Sequence, residues 1–184
     1  MSQPAPAVAQ APLVIRPSTD ADLPAIQAIY AHAVEHGTGT FETEVPSVDE
    51  MARRRAEVLG RQLPWLVAER DSEVLGYAYA NYFRPRLAYR FCVEDSIYLA
   101  PAAQGQGVGR LLLAELIARC EAAGSRQMLA VIGDANNAGS IGVHTALGFQ
   151  HTGVLKSTGW KFGRWLDVVL MQRTLGLGDS AAAE

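Results

Sequence analysis

Three glycines stand within the run Gln104-Gly105-Gln106-Gly107-Val108-Gly109-Arg110, and they constrain this chain more than any other feature. Ahead of them Phe91 to Leu99 reads as a strand. Behind them Gly109, Leu112, Leu113, Leu116, Ile117 and Cys120 recur at helical spacing as far as Gly124. Glycines let a backbone approach an anion closely, and the first turn of a helix aims free N–H groups and the positive end of its dipole at it. A pyrophosphate suits such a junction. Arg110 either adds a charge-assisted contact or is a solvated surface charge. A glycine-rich helix entry with no ligand is the plain alternative for so short a motif.

Other glycine motifs fail on their letters. A P-loop requires Gly-Lys-Ser/Thr, whereas Gly109 is followed by Arg110 and Leu111. A dinucleotide fingerprint starting at Gly105 requires glycine where Arg110 stands, together with repeated parallel βαβ units that the chain lacks.

The remaining elements follow from periodicity and punctuation. Leu13–Arg16 reads as a strand, and Leu23, Ile26, Ile29, Tyr30 and Ala33 as a helix closed near Gly37. A second helix is expected from about Ser47 to Gly60. Strands are expected at 63–70, 73–82, 91–99, 127–132, 149–158 and 164–174, with helices over 107–123 and 138–147. This order describes an α/β domain with a mixed, mostly antiparallel twisted sheet of about seven strands flanked by about four helices.

With 184 residues, 49% hydrophobic and 19% charged, the chain fits one globular domain, placed at 13–174. Residues 1–12 and 175–184 are expected to be flexible tails. A formal charge of −3 advertises neither nucleic acid nor membrane as partner. Cys92 and Cys120 have no short-spaced partners, so neither a disulfide framework nor a zinc site is expected, and a cytoplasmic location suits them. His32 and His36 have a metal-compatible spacing but no third ligand in their motif, so no metal is expected.

The loop at Gln104–Gly109 resembles the acetyl-CoA loop of the GNAT acetyltransferase superfamily, Gln/Arg-x-x-Gly-x-Gly/Ala. Four further stretches are similar to its phosphinothricin and methionine sulfoximine N-acetyltransferase family. They are Val93 to Leu99, Ala130 to Gly133, Asn137 through His144 with Ala146 to Phe149, and Lys161 to Asp167. The resemblance covers roughly residues 13–174. It implies the GNAT fold, acetyl-CoA as cosubstrate, a small amino-acid-like acceptor and a homodimer. Ile97, Tyr98 and Leu99 would then face the pantetheine arm. Gln104, Gly105, Gln106, Gly107, Val108, Gly109 and Arg110 would hold the pyrophosphate, and Asn137 and Ser140 would also face the cofactor. Asn137 equally suits a helix cap.

The same resemblance makes Glu94 the catalytic carboxylate and matches His144 to a histidine that orients or deprotonates the amine. A thioester is attacked by a neutral amine, so a proton must leave the ammonium form first. Strand alternation puts Glu94 with Cys92, Ser96 and Tyr98, opposite Phe91, Val93, Ile97 and Leu99. Asp95 breaks the apolar face and suggests a β-bulge. Without the resemblance, Glu94 reads as a solvated strand carboxylate and His144 as a packed helix residue. Cys92 has no evident group to lower its pKa, which favours direct transfer in a ternary complex over an acetyl-cysteine route.

For the acceptor, the resemblance points to Phe41, Arg84, Arg86 and Tyr89, with Val131 and Gly133 along the amino-acid backbone. Guanidinium groups suit carboxylate, phosphinate or sulfone oxygens, and the alternative is a solvated hairpin tip. Two rival functions stay open: acetylation of a protein N-terminus or lysine, and a non-catalytic acyl-CoA sensor. Trp160, Phe162 and Trp165 suit either an interface or a cover over the site.

Overall fold

Residues 11–183 are described by a computed structural model. The expectation of a loose N-terminal tail at 1–12 falls, for residues 1–10, outside the described residues. Seven strands form one sheet: β1 (Val14–Pro17), β2 (Trp65–Arg70), β3 (Glu73–Tyr82), β4 (Cys92–Leu99), β5 (Gln127–Gly133), β6 (Gln150–Lys161) and β7 (Arg164–Thr174). Their spatial order is β1-β2-β3-β4-β5-β7-β6. Among the described residues every pairing is antiparallel except β4 with β5. Among the described residues four α-helices accompany them: α1 (Leu23–His36), α2 (Val48–Gly60), α3 (Val108–Ala122) and α4 (Ala138–Ala146). The predicted architecture and element order are those observed.

The helices lie on both faces because successive strand residues point in opposite directions. On β4, Tyr98 meets Tyr30 of α1 edge to face at 4.9 Å, whereas Ile97 and Leu99 face Gly109 of α3. The apolar stripe Leu112, Leu113 and Leu116 is fully buried against β2, β3 and β4. Each such side chain stabilises the fold by about 1.5–3 kcal/mol through loss of contact with water. Helix entries follow the sequence signals. Ser47 Oγ accepts the Glu50 N–H at 3.1 Å at the start of α2, and Asn137 Oδ1 accepts the Ser140 N–H at 3.1 Å at the start of α4.

Where β4 and β5 stop pairing matters most for function. Their parallel register runs from Cys92↔Gln127 to Asp95↔Ala130 and ends there. Beyond it, Ser96–Leu99 remain paired to β3 and Val131–Gly133 to β7. The sheet is therefore split at its centre, and backbone groups of both strands face the gap. No bulge produces this. The β3–β4 register is unbroken through Asp95, which corrects the bulge expected there.

Two boundaries also differ from expectation. β6 continues to Lys161 instead of ending at 158, because a register shift between Leu155 and Gly159 absorbs extra residues. In that bulge Ser157 has a positive φ of 52°, and its N–H donates to Asp167 Oδ1 at 2.9 Å. The irregularity hides the strand from a period-two reading. The C-terminal segment expected to be loose from 175 is anchored at its first residue. Leu175 is fully buried, and its N–H donates to Arg126 O at 2.9 Å.

Candidate active site

The split in the sheet opens a cleft of about 1140 Å³ bounded by β4, β5, the start of α3, α4 and the loop after α1. On one side lies the glycine-rich junction. Gly105 and Gly107 have φ values of 72° and 80°, a left-handed conformation that disfavours any residue with a Cβ. Gly107 then caps α3, so the N–H groups of Val108, Gly109 and Arg110 have no partner within the helix. Gly109 serves a different purpose. A Cβ there would come within 3.3 Å of Leu99, so its absence lets α3 approach β4 closely.

Gln104, Gly105, Gly107, Gly109 and Arg110 line the cleft, as do Ile97, Tyr98 and Leu99. Val108 points inward and is fully buried. Gln106 turns away, its Nε2 donating to Ala102 O at 2.6 Å. Across the gap, Asn137 and Ser140 line the cleft from α4, and the capping bond of Asn137 does not remove it from the lining.

Glu94 sits half-buried where β4 and β5 part. Burial raises its pKa above the ordinary 4.5, the charge of Asp95 raises it further, and Arg84 opposes both. A carboxylate shifted in this direction is a better proton acceptor at neutral pH. Asp95 points to the opposite face and is buried, where its Oδ2 lies 3.0 Å from His144 Nε2. His144 Nδ1 lies 2.7 Å from Ser140 O. Both ring nitrogens thus face oxygen acceptors, an arrangement that favours the imidazolium form, in which both donate. Desolvation works against that charge, but the bond and charge of Asp95 and the Ser140 carbonyl outweigh it, so the His144 pKa is raised. Held this way, both ring nitrogens of His144 are engaged by neighbouring groups. The ring is fixed on α4 by Asp95.

The other side of the cleft carries Phe41, Val131 and Gly133 beside Glu94. The structure does not bring Arg84, Arg86 or Tyr89 into that lining. They lie on the exposed connection between β3 and β4, with Arg84 over the Phe83 ring at 4.5 Å and Tyr89 edge-on to the same ring. Arg84 still reaches Glu94 electrostatically.

Neither thiol is primed as a nucleophile. Burial and the neighbouring Glu94 push Cys92 up, and burial pushes Cys120 up to about 12. The rings of His32 and His36 lie 4.7 Å apart, tilted by 51°. Among the described residues no group of three or more His, Cys, Asp or Glu is gathered to hold a metal ion.

The arrangement has counterparts among known proteins. A model of the acetyltransferase (GNAT) domain matches residues 15–170. The chain belongs to the GNAT acetyltransferase family. It is 56% identical over 177 residues to phosphinothricin N-acetyltransferase of Alcaligenes faecalis, covering 96% of this chain and 90% of that protein. It is 40% identical to the L-methionine sulfoximine/L-methionine sulfone acetyltransferase of Salmonella typhimurium, covering 94% and 99%. The crystal structure of a GNAT phosphinothricin acetyltransferase from Sinorhizobium meliloti in complex with AcCoA superposes with a TM-score of 0.91 at 49% identity, covering 94% and 93%.

Within this GNAT chain, sequence reasoning misses three residues that shape the cleft. Asp95 holds His144, and its signal was a charge on an apolar strand face. Lys161 is buried against the loop after α1, and Gly159 lies under Phe41. Both stand past the β6 bulge, where parity no longer indicates which way a side chain points.

Proposed function

We propose that this chain acetylates the α-amino group of phosphinothricin, methionine sulfoximine, methionine sulfone or a similar small anionic amino acid, using acetyl-CoA in a ternary complex. The observation that carries this reading is Glu94, a carboxylate with a raised pKa set at the point where the sheet splits. The high identity to enzymes named for these acceptors supports the substrate class.

The residues present fit acetyl-CoA. Positive-φ glycines and the uncapped first turn of α3 suit its pyrophosphate, and Arg110 adds positive charge at the same end. Unpaired backbone groups of Ile97–Leu99 suit the amides of the pantetheine arm. When bound, acetyl-CoA supplies the acetyl group as a thioester. Glu94 accepts a proton from the acceptor's ammonium, directly or through one water, leaving the neutral amine that attack requires. The imidazolium of His144, fixed by Asp95 and the Ser140 carbonyl, keeps α4 and its cap in place along the gap. Phe41, Val131 and Gly133 bound the acceptor side, with Arg84, Arg86 and Tyr89 supplying positive charge and an aromatic edge at its approach. The raised thiol pKa of Cys92 supports direct transfer over an acetyl-cysteine route.

A cytoplasmic homodimer completes the reading. Two free thiols suit a reducing compartment, and the exposed Trp160, Phe162 and Trp165 supply apolar area for a second copy. The test is a panel of phosphinothricin, methionine sulfoximine, methionine sulfone, short peptides and polyamines, scored by acetyl-CoA-dependent release of free CoA. The amino acids are expected to be the best acceptors. Release with peptides alone would refute the reading.

A further inference from the structure

The loop between α1 and α2 crosses the ends of β5 and β6 at two places where the strands carry no side chain. A Cβ on Gly133 would overlap Thr38 O and lie 2.9 Å from Phe41 Cε1. A Cβ on Gly159 would overlap the Phe41 ring, with Cδ2 and Cζ at 2.6 Å. In the sheet these glycines flank β7, Gly133 opposite Val168 and Gly159 opposite Leu166. The Phe41 ring therefore rests in a slot made by two glycines far apart in sequence. Neither has a positive φ, so close approach accounts for them and backbone conformation does not.

Lys161, two residues beyond Gly159 and on the same face of β6, holds the same loop. It is only 4% exposed, and its Nζ donates to Gly37 O and Thr40 O, each at 2.9 Å. The ammonium also lies 5.0 Å from the centre of the Phe162 ring. A buried lysine is rare and must have its donors matched, so this placement is specific. Around it Tyr30 Oη shares a 2.9 Å hydrogen bond with Thr40 Oγ1, and Arg54 donates to Glu42 Oε1 at 2.7 Å. Lys161 and Gly159 are themselves outside the cleft lining, whereas Phe41 is within it.

We propose that Lys161 and Gly159 are positioning residues for the acceptor: the lysine clamps the loop carbonyls and the glycine receives the Phe41 ring, which fixes one wall of the acceptor pocket. This rests on the reading above, in which the Phe41 side of the cleft receives the amino acid. The wall is then set by the β6–β7 hairpin and not by the lining residues alone. Acceptor recognition is sensitive to changes in that hairpin, while the glycine-rich junction that serves acetyl-CoA is not.

The test compares Lys161→Met, Lys161→Arg and Gly159→Ala with the parent, using methionine sulfoximine and acetyl-CoA, and reads KM and kcat for each substrate beside the thermal midpoint. Lys161→Met and Gly159→Ala are expected to lower kcat/KM for the acceptor by about 10- to 100-fold, as misplacement of a positioning wall does. The KM for acetyl-CoA is expected to stay within about twofold, and Lys161→Arg to recover part of the loss. Because Gly159 acts through Phe41, Gly159→Ala is expected to add little on a Phe41→Ala background. Equal rises in both KM values, an unchanged acceptor kcat/KM in Gly159→Ala, or full additivity with Phe41→Ala would each overturn the proposal. If Lys161→Met does not fold, the Gly159 and Phe41 cycle decides. A parent enzyme active only on peptides would overturn the functional reading and this inference with it. An active parent with indifferent variants would overturn this inference alone.

Discussion

The two sides of the cleft are built by different means. The side that suits acetyl-CoA is local and made of backbone: Gly105 and Gly107 in left-handed conformations, the open first turn of α3, and strand groups freed where β4 and β5 part. The acceptor side is assembled from distant segments, with Phe41 after α1, Glu94 on β4, Gly133 ending β5, and Gly159 and Lys161 on β6. A backbone site tolerates exchange of its side chains but not of its glycines. A site made of side chains from separated segments changes its specificity when any one of its supports moves.

Glu94→Gln should give the largest effect and bears directly on that division. It is expected to lower kcat by about 10²- to 10⁴-fold in steady-state assays, the range for removing a general base. The acidic limb of kcat/KM belongs to the same group. Because the folded pKa of Glu94 is raised, activity should fall as pH drops through a value above the ordinary 4.5. A limb that persists unchanged in the glutamine variant would assign it to another group.

His144→Gln is expected to act on stability before chemistry. Removing one partner of a buried ion pair costs about 3 kcal/mol. A histidine whose pKa is raised on folding contributes its full stabilisation below its ordinary 6.5 and loses it as pH rises through the folded value. Urea unfolding should therefore show a wide gap between parent and variant at low pH that narrows in alkaline buffer. A gap that widens with pH would contradict the imidazolium assignment.

Gly107→Val sharpens the other half of the comparison. A side chain there meets open space, so the penalty is conformational, about 1–2 kcal/mol for a left-handed residue. Roughly a tenfold rise in the KM for acetyl-CoA is expected, with the acceptor KM little changed. Arg84→Ala should have the smallest effect, about a few-fold in acceptor KM and fading with added salt, because the side chain is exposed and screened.

The same division explains what the sequence discloses. Glycine spacing, helical periodicity and strand alternation are written within short windows, so the junction at Gln104–Arg110 and the alternation around Glu94 could be read directly. Asp95 was visible as a charge on an apolar face, yet its partner His144 lies 49 residues away, and nothing local connects them. Lys161 and Gly159 were hidden behind the β6 bulge, which resets parity before the residues that matter. Arg84, Arg86 and Tyr89 were legible as a cluster, but their exposure outside the cleft lining depends on how the β3–β4 connection folds.

The most direct test of the account is a calorimetric titration of coenzyme A into the parent protein and into Glu94→Gln. The account predicts equal affinities within about twofold, because the glycine-rich junction binds the cofactor independently of the base. No detectable binding to the folded parent, or an affinity lost together with turnover in the Glu94 variant, would contradict it.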